Sequence, residues 1–318
     1  MSASKVFGCD FYFKYENTQF TGSFKLRGAM NKILTLTEGE KKKGVVTCSA
    51  GNHAQGVAFS ATQAGVKSTI VMPINAPLIK VMATKDYGAE VLMHGQGFDE
   101  AYDRARELEK EHGYIFIPPY EDPAIIAGQG TAALEMLDRV PSFDTVVVHI
   151  GGGGLISGIA TVIKQLNPKC QIIGVQSVQA PGMERLFHHQ EVDTIKKRLS
   201  TIADGIAIKR ASRGMYDNFI SKLIDDIVTV TDDDIAEAIV FLLERTKTVT
   251  EGAGAAAFAA VLSHKVKLGP KTCVVLSGGN IDLNLMAKVI DRGQIRKGRL
   301  VELAVVVDDL PGNLNRLT

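Results

Sequence analysis

From Gly44 onward, short runs of β-branched and apolar residues alternate with longer stretches whose apolar positions recur at helical spacing. Gly44–Cys48, Ser68–Met72, Ala89–Met93 and Tyr114–Ile117 read as strands, and Asn52–Ala64, Pro77–Tyr87 and Phe98–His112 as the helices between them. A second series follows. Helix Ile126–Arg139, strand Thr145–Ile150, helix Leu155–Gln165 and strand Cys170–Gln176 lead to strand Asp226–Val230, helices Asp232–Thr246 and Glu251–Ser263, and strand Thr272–Leu276. Strands alternating with helices at this spacing predict parallel sheets covered by helices on both faces. Two such series predict an α/β protein with two lobes and ligands at the carboxyl ends of the strands between them. Past Gly298 the pattern changes: alternating apolar positions over 300–307 precede Asp308-Asp309-Leu310-Pro311-Gly312 and a helix-like start at Asn313–Leu317.

Composition narrows the class. With 318 residues the chain can bury a substantial core, and 45% apolar with 22% charged residues is ordinary for a globular protein. The net charge of +1 gives no bulk attraction to nucleic acid or a membrane surface. No apolar run is long enough to span a bilayer, and Met1–Asp10 has no apolar core of a signal peptide, so a cytoplasmic protein is expected. Cys9, Cys48, Cys170 and Cys273 are scattered, without metal-ligand spacing, and read as reduced thiols.

Four stretches carry chemistry. Gly151-Gly152-Gly153-Gly154 follows an apolar strand ending at His149-Ile150 and opens a helix, where a bare backbone and free amides can wrap a phosphate. No acidic residue ends the next strand, where Gln176 stands, which disfavours a dinucleotide. Ser49-Ala50-Gly51-Asn52-His53 again joins a strand to a helix, with Asn52 read as the N-cap; a cap without a ligand is the equal alternative. Lys25, between Phe24 and Leu26 in Thr21–Gly28, is a candidate for a desolvated amine of lowered pKa, although a lone lysine usually faces solvent. Leu276-Ser277-Gly278-Gly279-Asn280 puts a serine at a strand end.

Other groupings read as ordinary structure. His188-His189 reads as a solvated helix end with no third ligand, Asp232-Asp233-Asp234 as dipole-complementing residues behind Thr231, and Lys41-Lys42-Lys43 as a solvated turn. Glu251, in Thr250-Glu251-Gly252-Ala253, reads equally as a helix cap or a site residue.

Together these phrases, with Ala127-Gly128-Gln129-Gly130-Thr131, resemble the fold-type II pyridoxal-phosphate family in order and over nearly the whole chain. The resemblance is specifically to threonine dehydratases (threonine ammonia-lyases) and the related serine racemases. It implies pyridoxal 5'-phosphate as cofactor and a Schiff base on Lys25, which then takes the Cα proton. It implies Gly151, Gly152, Gly153 and Gly154 around the phosphate, Asn52 on the 3'-oxygen, Ser277 at the ring nitrogen and Phe24 against the cofactor. Ser49, Gly51, Asn52 and His53 would hold the substrate carboxylate.

The implied reaction is dehydration and deamination of L-threonine or L-serine, as in isoleucine biosynthesis; racemisation, β-replacement and a non-catalytic amino-acid-binding form are the alternatives. Ala50 stands where racemases carry a reprotonating serine, and Gln176 where they carry a carboxylate of a metal site. The resemblance further implies a homo-oligomer, dimer or tetramer. It divides the chain into a large lobe, 1–44 and 121–292, and a small lobe, 45–120. It also makes 299–318 the opening of an ACT regulatory domain, with both ends abbreviated relative to the family.

Overall fold

The computed structural model describes residues 3–192, 194, 195, 199–301, 303 and 306. Among the described residues nine strands form two wholly parallel sheets. They are β1 (Asp10–Tyr15), β2 (Val45–Cys48), β3 (Ser68–Met72), β4 (Glu90–Met93), β5 (Ile115–Phe116), β6 (Thr145–His149), β7 (Gln171–Ser177), β8 (Asp226–Val230) and β9 (Lys271–Leu276). The larger sheet has the order β1-β9-β6-β7-β8 and the smaller β4-β3-β2-β5. The two-lobed α/β architecture is therefore as expected, and the chain leaves the larger sheet after β1, builds the smaller, and returns.

Alternation along β6 shows how the larger sheet is held. Val146 and Val148 face one core with Ile156, Ile159 and Ile163, whereas Val147 faces another with Phe258, Ile235 and Ile239. Every residue of β6 is buried, the signature of a central parallel strand covered on both faces. A third core lies under the smaller sheet and joins Ile70, Met72 and Ile117 to Val57 and Ala58. Ala29 and Ile33, from helix Lys25–Leu34, belong to that third core, so this helix bridges the two sheets. Glycines let it approach its neighbours: a Cβ on Gly56 would lie 3.1 Å from the Lys25 carbonyl carbon, and one on Gly128 would press on the Arg27 carbonyl.

Several expectations shift. Strand β1 and helix Leu283–Arg296 were not anticipated, helix Pro123–Arg139 begins three residues before the predicted start, and β5 is only two residues long. Lys41, Lys42 and Lys43 are not a turn but the last turn of helix Glu38–Lys43, where cations complement the dipole. Thr37 and Glu40 form a capping box at its start, and Thr231 and Asp234 form another before Asp232–Thr246. Gln176 is buried and structural: its Oε1 accepts from the amides of Met183 and Glu184, both at 2.9 Å, capping helix Gly182–Phe187. His188 ends that helix, and its Nε2–H donates to the Ile227 carbonyl at 3.2 Å.

Cys48, Cys170 and Cys273 are buried and Cys9 is partly so; all four are free thiols. Among the described residues no helix is long and apolar enough to cross a membrane, and no cluster of three or more His, Cys, Asp or Glu side chains could hold a metal ion. The expected strand at 300–307 and helix start at 313–317 fall on a stretch of which only 300, 301, 303 and 306 are described.

Candidate active site

The carboxyl ends of β2, β5, β6 and β9 converge, and the chemistry-bearing stretches leave from them. Backbone hydrogen bonds tie the Lys25 turn to the Ser277 loop. Phe24 N–H donates to the Ser277 carbonyl at 3.0 Å, Gly279 N–H to Gly22 at 2.9 Å, and Glu251 N–H to Gly278 at 3.0 Å. Lys25 thus sits at the first turn of its helix with its Nζ directed across to the loop after β5, donating to the Pro119 carbonyl at 2.7 Å. Burial lowers its pKa to about 8, an effect that the Glu251 carboxylate partly opposes. Its Nζ lies 5.2 Å from the Phe24 ring centroid.

Facing Lys25 is the glycine loop. Gly153 has φ +98°, a left-handed conformation that turns the chain from β6 into helix Gly154–Leu166. None of the amides of Gly151 to Leu155 donates to a described backbone carbonyl, so five N–H groups remain at the start of a 13-residue helix. The Tyr120 ring packs on this loop, and a Cβ on Gly152 would run into it. Phe24, Lys25, Tyr120, His149, Gly151, Gly152, Gly153, Gly154, Leu155 and Gly205 enclose a cavity of about 30 Å³. A larger, open groove beside Ser4, Gly8 and Pro270 lies at the amino ends of β1 and β9, away from this chemistry.

The second wall comes from the smaller sheet. Asn52 is the first residue of helix Asn52–Gln63, and Gly51, not Asn52, is its N-cap; the Asn52 side chain is thereby released from capping. Its Nδ2 donates to Glu251 Oε1 at 2.6 Å, and its Oδ1 accepts from Asn280 Nδ2 at 2.8 Å. Glu251 makes no capping bond to its own helix, Gly252–Leu262, so its side chain belongs to this junction. Burial, reinforced by Asp204, raises its pKa to about 7, against the hydrogen bond from Asn52. Ser49 Oγ accepts from Gly51 N–H at 3.2 Å. His53 is buried, and its Nε2–H donates to the Ile117 carbonyl at 2.9 Å, leaving Nδ1 as its remaining polar atom. Burial, with Lys25 nearby, lowers the pKa of His53 to about 3.

The structure therefore brings Phe24, Lys25, His149 and the four glycines around one cavity. Ser277 joins Lys25 through the backbone, and Asn52 joins the Ser277 loop through Glu251 and Asn280. Sequence reasoning gave no role to Tyr120, Asn280, Pro119 or His149. Only His149 carried a usable signal, as a polar residue at the end of an apolar strand beside the tetraglycine run.

A glycine cradle on a helix N-terminus suits a phosphate ester, and a desolvated lysine across from it suits an amine-reactive carbonyl on the same ligand. The residues fit pyridoxal phosphate. Such a site between two parallel α/β lobes defines a class of enzyme, and comparison with known proteins bears this out. The chain belongs to the pyridoxal-phosphate dependent enzyme family, whose pattern matches residues 2–278. It is similar to the L-threonine ammonia-lyase of Thermotoga maritima, with 46% identity over 314 residues, covering 99% of this chain and 78% of that protein. Its fold is similar to the processed threonine deaminase isoform 2 of Solanum lycopersicum, with TM-score 0.85, 37% identity, and 92% and 81% of the two chains covered. It is also similar to maize serine racemase, with TM-score 0.84, 33% identity, and 93% and 91% covered.

Proposed function

We propose that this chain is a pyridoxal-phosphate-dependent threonine ammonia-lyase, removing water and then ammonia from L-threonine, or pyruvate-forming L-serine, to leave a 2-oxo acid. The observation that carries the reading is Lys25, desolvated and held by Pro119 opposite a tetraglycine helix N-terminus. Similarity to threonine ammonia-lyases over nearly the full chain supports the same reading.

When bound, pyridoxal phosphate supplies an aldehyde that condenses with amines and a conjugated ring that spreads the negative charge left when Cα loses its proton. The amides of Gly151, Gly152, Gly153 and Gly154 hold the phosphate, and Phe24 packs against the ring. Asn52 would serve the 3'-oxygen, and Ser277 the ring nitrogen. Ser277 would offer that nitrogen a neutral hydroxyl in place of a carboxylate, which suits expulsion of a β-hydroxyl better than transamination. Ser49, Gly51, Asn52 and His53 would bind the substrate carboxylate. Lys25 Nζ, largely neutral above its lowered pKa, receives the Cα proton.

Racemisation is the second reading, prompted by similarity to maize serine racemase. Ala50 weighs against it, because a methyl group cannot return a proton to the opposite face. In the first reading the protein is a cytoplasmic homo-oligomer acting in isoleucine formation, and 299–318 opens an ACT regulatory domain; the support for these is the resemblance of the sequence to threonine dehydratases. Measuring 2-oxobutanoate from L-threonine and pyruvate from L-serine, with and without added cofactor, tests the activity. Formation of neither product by the cofactor-loaded protein overturns it.

A further inference from the structure

We propose that His149 is a ligand-binding residue of the cofactor pocket, donating an imidazole N–H to the phosphate ester seated on the glycine loop. This rests on the reading of the site as a pyridoxal-phosphate pocket and extends it beyond the glycine amides. His149 is the last residue of β6, two positions before Gly151, and lines the same small cavity as Lys25 and the four glycines. It is only 5% exposed, and neither Nδ1 nor Nε2 has a hydrogen-bond partner among the described residues.

A neutral imidazole carries one donor and one acceptor, and burying both unpaired is unfavourable, so an unmatched pair in a native core signals a partner from outside the chain. The Thr21, Ser23 and Thr250 hydroxyls are also buried without partners, but none of them lines the cavity. Packing fixes where the ring points. His149 lies against Phe24, with centroids 5.7 Å apart and planes at 58°, and Phe24 in turn carries Lys25. The ring is thus held between the lysine turn and the first amides of the loop.

Its protonation suits this role. Burial, with Lys25 nearby, lowers the pKa of His149 to about 3, so near neutrality it presents one N–H donor and brings no second cation to compete with the lysine. The glycine amides supply dipoles, and a hydrogen bond from imidazole to a charged oxygen adds one side-chain contact to them.

Isothermal titration of the cofactor-stripped protein with inorganic phosphate, pyridoxal phosphate and pyridoxal, on wild type, His149→Gln and His149→Phe, tests the proposal. The expected result is a loss of roughly ten- to hundredfold in affinity for phosphate and pyridoxal phosphate in His149→Phe, with pyridoxal little changed and partial recovery in His149→Gln. Equal affinity of all three proteins for inorganic phosphate overturns it, as does a loss for pyridoxal as large as that for pyridoxal phosphate. If wild type itself fails to bind pyridoxal phosphate, the cofactor reading falls first. Wild-type binding with no effect of His149→Phe sinks only the histidine's role.

Discussion

Asn52 and Glu251 are 199 positions apart in sequence, yet their side chains meet at 2.6 Å, joining the first residue of a small-sheet helix to the N-cap of a large-sheet helix. The bond spans the gap between the lobes, and Asn280 completes it from the Ser277 loop. Glu251 is therefore a positioning residue: it orients Asn52, the group read as facing the cofactor's 3'-oxygen.

Its carboxyl group should couple stability to pH. The pKa is raised in the folded protein to about 7, above the ordinary value of 4.5, so the native state holds this proton more tightly than the unfolded chain. The associated stability is present below about pH 4.5 and is lost as pH rises through 7. Glu251→Gln keeps an acceptor for Asn52 and removes the titration. Its stability relative to wild type should rise by about 2–3 kcal/mol between pH 4.5 and 8, measured by chemical denaturation. A constant difference across that range would contradict the shift.

Lys25 should show its lowered pKa directly. An ordinary lysine is neutral only to well under about 1% at pH 8, whereas one with a pKa of about 8 is half neutral there. Reductive alkylation followed by peptide mapping should label Lys25 with a midpoint near pH 8 and other lysines far higher. Lys25→Ala should remove the visible absorbance of the cofactor-bound protein and lower turnover by roughly three orders of magnitude or more. Labelling of Lys25 that rises only with the bulk lysines would reject the desolvated amine.

What could be read in the sequence follows from locality. The Val146–Ile150 run, followed by four glycines, declares a buried strand and a candidate phosphate loop within a dozen residues. Strand β1 hides because its burial does not alternate: in Asp10–Tyr15 only Phe11 is fully buried, on a sheet edge. The cap falls on Gly51, one residue before the expected Asn52, which leaves the asparagine side chain free for a distant partner. Asn280 and Tyr120 have no local signature, and Glu251, legible as a helix-start carboxylate, is told apart from a cap only once loops from separate strands meet.

Two glycines should separate binding from folding. A Cβ on Gly152 meets the Tyr120 ring first, a side chain able to move, while a Cβ on Gly158 meets the Ile126 carbonyl and lies 2.7 Å from the Gly130 amide nitrogen. Gly158→Ala should therefore destabilise the protein by about 1–3 kcal/mol through displaced backbone. Gly152→Ala should cost less stability while weakening pyridoxal phosphate binding, read by titration of the cofactor-stripped protein. Equal effects of both variants on both measurements would remove the distinction.

Ala50 offers a test of reaction specificity. Ser49 and Gly51 flank it at the end of β2, so a hydroxyl introduced there enters the same turn. Ala50→Ser should raise D-serine formation from L-serine relative to pyruvate, measured by chiral chromatography. An unchanged ratio would count against Ala50 as the reason for preferring elimination.

Arg27 fixes the helix that presents Lys25, and its chemistry makes a conservative exchange informative. Glu16, wholly buried at the end of β1, takes two bonds from the guanidinium, Nε at 2.6 Å and Nη2 at 2.9 Å. Glu135, from helix Pro123–Arg139, takes two more, from Nη1 at 2.7 Å and Nη2 at 2.6 Å. The two carboxylates hold the Arg27 pKa above its ordinary value despite burial, and Arg27 with Lys14 pulls Glu135 down to about 2. A planar fork satisfies both partners at once, whereas an ammonium cannot match that geometry. Arg27→Lys keeps the charge and should still lower stability by about 1–3 kcal/mol, because Glu16 keeps its buried charge with fewer donors. Lys25 lies two residues away on the same first turn, so the variant should also weaken cofactor binding. Arg27→Ala should do both more severely, and adding Glu16→Gln to it should recover part of the stability by removing the stranded charge. Thermal unfolding with pyridoxal phosphate titration of the three variants tests the chain of contacts. If Arg27→Lys matches wild type in both, the buried pair does not set the position of Lys25.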